Sequence, residues 1–242
     1  MLFQAAGRAR RGDMSIAPGL PREPVRRASP YAAAPRLPVG EALGCSEIWG
    51  TPVGAPDAPP AFELEIGPGR GHFILERVAQ SEDIRIVGLE IRLKWASLVD
   101  ERLRRMGHGG RARVFAEDIR FALPRLASGS LSRVFVHFPD PWWKKRHAKR
   151  RLANAPVVEQ VARLLRPGGE LFVQTDVWDA ARAYREAVEA HGGFSPMGDA
   201  AGSPLCTDNP YGARSPRERR VMADGMPIIR LRYQRLALGE PA

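Results

Sequence analysis

The chain contains no run of eighteen apolar residues, so no segment is expected to cross a bilayer. It has only two cysteines, Cys45 and Cys206, far apart and without a CxxC or Cys/His partner at metal spacing. Free thiols in a reducing, cytoplasmic compartment are the expectation. Its histidines (72, 108, 137, 147, 191) show no HExxH-like spacing, and no metal is expected. There is no internal repeat. Acids are the scarcer charge, 27 against 37 Lys and Arg, which leaves a formal net charge of +10. A chain this basic usually meets a polyanion. Nucleic acid fits better than a membrane surface, because no amphipathic basic helix dominates.

What is present suffices for one core: 242 residues, 44% of them hydrophobic. Residues 1–60 are rich in Ala, Pro, Gly and Arg without periodicity, which predicts a mostly disordered basic arm. Its first stretch, MLFQAAGRARRG, has the composition of a transit peptide, but the proline density opposes a long amphipathic helix. Residues 61–242 read as a single domain. Apolar runs at 62–67, 84–90, 113–118, 132–138 and 170–175 alternate with helical periodicity at 72–80, 91–106, 154–165 and 178–190. That alternation predicts an α/β, doubly wound, mostly parallel sheet with helices on both faces. Residues 192–227 read as loop, and 227–238 as a closing antiparallel edge strand or pair of strands.

The first strand runs into ELEIGPGRGHF, which places Gly67, Gly69 and Gly71 where an open sheet binds its ligand. The spacing is GxGxG, with His72 at the position of the dinucleotide fingerprint's third glycine. Glu65 precedes the loop and would repel a pyrophosphate, but it suits an ammonium or sulfonium, both of which S-adenosylmethionine carries. An NAD-dependent oxidoreductase is disfavoured on the same two grounds. The second strand ends at Glu90, placed to accept from ribose hydroxyls, and the third at Asp118, placed to accept from an adenine amino group. Any one of these acids could be a mere helix cap, but three at successive strand ends beside the glycine loop argue for a site. Together they resemble a class I S-adenosylmethionine-dependent methyltransferase over about 62–238. The resemblance implies a Rossmann-like, seven-stranded sheet.

The fourth strand leads into HFPDPWWKKRHAKRR (137–151). Prolines on both sides of Asp140 stiffen its turn at the same rim, beside the donor. Six of the eight residues after Trp143 are Lys or Arg, and this run leads away from the site as a phosphate-gripping track should. Trp142 and Trp143 suit either core packing or base stacking.

FPDPWWKKRHAKRR closely resembles the signature of the tRNA (guanine-N7-)-methyltransferases, F-x-DPW-x-K-x-RH-x-KRR, and meets each fixed position. The resemblance implies tRNA as partner and methylation of a guanine N7 in the variable loop, by a monomer or weak homodimer without membrane or metal. A ribosomal RNA or small-molecule substrate and a non-catalytic RNA-binding module are the alternatives. Asp140 is then the catalytic residue, touching donor and guanine. Asp176, after Thr175, holds the base edge with Glu218 and Ser215, and Lys144, Arg146 and Arg150 contact tRNA. Where the family has T-x-[YF]-E, this chain has Ser215-Pro216-Arg217-Glu218, so the aromatic is replaced by Arg217. Guanine N7 is an exposed lone pair without a proton, so its methylation needs no base and rests on positioning and charge stabilisation.

Overall fold

The structure is a computed structural model that describes residues 29–50, 61–140 and 152–237. Seven strands, β1 (Ala61–Ile66), β2 (Ile84–Leu89), β3 (Ala112–Phe115), β4 (Leu131–His137), β5 (Leu165–Thr175), β6 (Phe194–Pro196) and β7 (Ile229–Arg235), form one sheet in the order β3-β2-β1-β4-β5-β7-β6. The first five are parallel, and β7 enters antiparallel between β5 and the edge strand β6. This is the expected α/β architecture. The chain order reverses direction between β1 and β4, so the loops leaving those two strands part and open a crevice at the carboxyl edge.

Side chains alternate along β1. Phe62, Leu64 and Ile66 enter one apolar cluster, with Val134, Val136, Leu171 and Val173. Glu63 and Glu65 face the opposite side, beside Phe73, Phe135 and Phe172. Glu63 is tolerated there because Arg77 (2.7 Å) and Arg133 (2.8 Å) pair with it. The helices α2 (His72–Gln80), α3 (Leu93–Arg105), α5 (Ala155–Leu164) and α6 (Trp178–His191) lie close to the periodic segments.

Three regions depart from the sequence reading. Residues 29–50 pack onto the domain, although their composition placed them in the arm. Leu43 bridges to Leu126, a five-residue helix α1 (Cys45–Trp49) buries Ile48, and the Trp49 ring meets Phe62 edge-on at 5.9 Å. Elements this short leave no periodic trace. β5 begins at Leu165, ahead of the apolar run at 170–175, and takes in Pro167-Gly168-Gly169 with an irregular pairing. The span 192–227 contains β6 and the helix α7 (Pro216–Ala223), which Ser215 caps and Pro216 opens.

Candidate active site

The glycine loop turns through three left-handed residues, with φ of 71° at Gly67, 55° at Gly69 and 72° at Gly71. Their duties differ. A Cβ on Gly67 would meet nothing within 4 Å, so that backbone is open for close approach. A Cβ on Gly71 would lie 2.2 Å from Val99 Cγ1, so this glycine lets the start of α2 close onto α3. Gly71 thus does the packing work that the dinucleotide pattern gives to the next position, where His72 stands. Burial pushes the His72 imidazole below its ordinary pKa.

An acid follows each of the five parallel strands: Glu65 near the end of β1, then Glu90, Asp118, Asp140 and Asp176 after β2, β3, β4 and β5. Glu90 is buried. It accepts from the Gly69 N–H (3.0 Å), the Arg92 N–H (2.9 Å) and Arg92 Nε (3.0 Å), so it ties the glycine loop to β2. Asp118 caps the short helix α4 (Ile119–Ala122), accepting from the Arg120 N–H and guanidinium. The Arg120 hydrogen bond holds its carboxyl below the usual range. Asp176 Oδ2 accepts from Arg217 Nε (3.0 Å) and an Arg217 terminal nitrogen (2.5 Å). The residue that replaces the signature's aromatic thus grips another site acid, and its side chain remains 55% exposed.

Glu65 has a different partner. His137, the last residue of β4, brings Nδ1 to 3.0 Å from Glu65 Oε1, and both side chains are buried. Glu65 Oε2 and His137 Nε2 have no hydrogen-bond partner among the described residues. One residue later Phe138 adopts φ 46°, a conformation uncommon outside glycine, while its N–H donates to the Gln174 carbonyl (2.7 Å). That turn delivers Asp140 exposed at the rim.

Ser215 and Glu218 are engaged within the fold. Ser215 Oγ accepts from the Glu218 N–H (3.1 Å) as the cap of α7. The Glu218 carboxylate is 0% exposed and accepts from Gln174 Nε2 (3.0 Å), Asn209 Nδ2 (3.2 Å) and Arg230 (3.2 Å). Both residues therefore shape the wall behind Asp176. Lys144, Arg146 and Arg150, with Trp142 and Trp143, lie outside the described residues. The sequence reading gave no role to three residues here: His137, Arg217 and the 65% exposed Trp178, two residues beyond Asp176. His137 had a signal, a polar side chain in an apolar run opposite another one, Glu65. No group of three or more metal-ligating side chains occurs among the described residues, and no helix there is long and apolar enough to cross a membrane.

Residues 60–231 match a protein family described as "Putative methyltransferase". The tRNA (guanine-N(7)-)-methyltransferase of Myxococcus xanthus is 37% identical over 172 residues, which is 71% of this chain and 82% of that one. Its namesake in Thermosynechococcus vestitus is 33% identical over 187 residues, covering 73% and 81%. Among solved structures, the geranyl diphosphate C-methyltransferase of Streptomyces coelicolor, in complex with S-adenosyl-L-homocysteine, aligns with a TM-score of 0.51. At 15% identity over 74% of each chain, that likeness is one of fold. A strand order and acid-tipped rim that suit a methyltransferase, joined to relatives that share one name across most of their length, place this chain in the tRNA (guanine-N(7)-)-methyltransferase family.

Proposed function

We propose that the protein transfers a methyl group from S-adenosylmethionine to N7 of a guanine in the variable loop of tRNA, acting in the cytoplasm. The observation that carries the donor assignment is Glu65, a buried carboxylate with one oxygen unpartnered among the described residues, beside an open glycine turn. That fits a ligand bearing a positive charge and no phosphate. Glu65, Gly67, Gly69 and Gly71 would hold its amino-acid end, while Glu90 and Asp118 keep acceptor capacity for ribose hydroxyls and an adenine amine. The donor supplies an electrophilic methyl group on cationic sulfur.

The chain's own residues supply the rest. Asp140, exposed at the rim on the turn that Phe138 sets, holds the guanine by its N–H edge and stabilises the charge that the ring acquires. Asp176 assists, steadied by Arg217. Ser215 and Glu218 act indirectly by fixing α7. Lys144, Arg146 and Arg150 grip phosphates along the basic run. Drawing the base out of the folded RNA costs a few kcal/mol, which contacts in the site must offset.

Incubation of tRNA with enzyme and labelled donor, followed by mass-spectrometric nucleoside analysis, should reveal 7-methylguanosine. Asp140→Ala should abolish it while leaving donor binding near normal. Turnover in that variant would refute the assigned role, and a labelled product other than 7-methylguanosine would refute the reaction.

A further inference from the structure

We propose that His137 is a positioning residue for the methyl donor: it fixes the rotamer of Glu65, so that Oε2 is held ready for the donor's cationic group. This rests on the assignment of Glu65 to donor binding.

Glu65 lies in register with Phe135 on β4, and alternation brings His137, two residues on, to the same face and one step nearer the rim. An ionised carboxylate only accepts, so His137 Nδ1 carries the proton at 3.0 Å from Oε1. The pair sits among aromatic rings, with the imidazole 4.1 Å from Phe73, 5.7 Å from Phe135 and 6.2 Å from Phe172 between centroids. Apolar walls make an unpaired carboxylate costly. The imidazole N–H offsets that by bonding it.

A second observation points outward from the pair. Glu65 Oε2, His137 Nε2 and Gln174 Oε1 all lack partners among the described residues. They come from neighbouring strands, and Gln174 is the register partner of His137. Buried polar atoms are normally satisfied, so three together at the carboxyl edge mark a place where polar groups of a ligand enter. Other charges nearby are engaged elsewhere. On α2, Glu76 accepts from the Arg214 N–H and pairs with Arg219, while His72 stands next to Phe73. Beyond Gln174, Glu218 on α7 pairs with Arg230 on β7. Among the described residues, Glu65 is the ionisable group in hydrogen-bond contact with His137.

Calorimetric titration of S-adenosylmethionine into the full chain at pH 7, with a melting curve for each protein, tests this. His137→Leu should weaken binding by about ten- to a hundredfold, the worth of a hydrogen bond to a charged group. His137→Asn, which places an amide donor near the Nδ1 position, should recover most of the affinity. Should the Leu variant fail to fold, His137→Gln carries the test: its amide reaches toward the Nε2 position and should lose affinity as Leu does. A Leu or Gln variant that binds like wild type, or an Asn variant as weak as Leu, would each overturn the inference. If the wild type itself fails to bind the donor, the donor assignment falls with it.

Discussion

Gly67 and Gly71 lie four residues apart with nearly the same φ, yet alanine should damage them in opposite ways. A left-handed alanine costs about 1–2 kcal/mol, and roughly 0.4–1 kcal/mol of that is offset because alanine restricts the unfolded chain. Gly67→Ala has no further cost, since its Cβ would meet nothing within 4 Å. Its net destabilisation should be about 1 kcal/mol, or roughly 2–4 °C in Tm for a domain of this size. The new methyl would project into the crevice, so donor affinity should fall by about tenfold or more. Gly71→Ala would bring its Cβ to 2.2 Å from Val99 Cγ1 and 2.9 Å from Cγ2, both on a branched side chain with little room to rotate. Overpacking adds about 1–3 kcal/mol, so Tm should drop by roughly 5–15 °C. Val99→Ala in the same chain should return part of that loss, and below its melting transition Gly71→Ala should lose less donor affinity than Gly67→Ala. Paired calorimetry and thermal melts would settle the division. Equal destabilisation by the two variants, or normal donor binding by Gly67→Ala, would refute the separate duties argued for the loop.

Arg217→Ala removes an exposed ion pair, so stability should change by less than about 1 kcal/mol; KM for tRNA should shift with donor Kd unchanged, and steady-state kinetics beside calorimetry would expose the opposite pattern. Replacing Lys149, Arg150 and Arg151 together by Ala should flatten the dependence of log affinity for tRNA on log salt by roughly two, and an unchanged slope would refute the phosphate track. Glu218→Ala should cost about 3–5 kcal/mol by denaturant unfolding, because it strands Arg230, whose side chain is only 7% exposed; a cost under about 1 kcal/mol would mean that the buried network is not structural.

The order of strands and helices was legible because parallel strands buried on both faces read as continuous apolar runs, broken by stretches of 3.6-residue period. The position of the acids was legible for a topological reason: in such a sheet a carboxylate just after a strand lies at the carboxyl edge. Where both signals fail, so does the reading. α7 is spelled PRERRVMA and buries Val221 and Glu218, a pattern that reads as solvated loop. The burial of Glu218 was equally hidden, since Gln174, Asn209 and Arg230 come to it from 44, 9 and 12 residues away. Residues 29–50 hold on through backbone and side-chain hydrogen bonds to the Leu123–Ala127 turn and to the residues just after β3, where the Ala116 N–H donates to the Pro35 carbonyl at 2.7 Å. Such attachments depend on distant partners and leave no local mark.

A rim with one acid after each of five strands poses an electrostatic problem for a protein proposed to bind tRNA, because five carboxylates would repel the phosphates the rest of the chain attracts. The structure resolves it locally. Arg92 lies against Glu90, Arg120 against Asp118 and Arg217 against Asp176, each cation more than half exposed and each acid largely covered. These pairs present nearly neutral charge toward solvent, yet each carboxylate keeps lone pairs for the N–H and O–H groups of donor and base. Glu65 is held differently: its partner is an imidazole, and among the described residues its second oxygen has none. A cationic donor is favoured there. Phosphate attraction would then fall to the basic run that follows Trp143 in the sequence, leaving the acidic edge to the one reacting base.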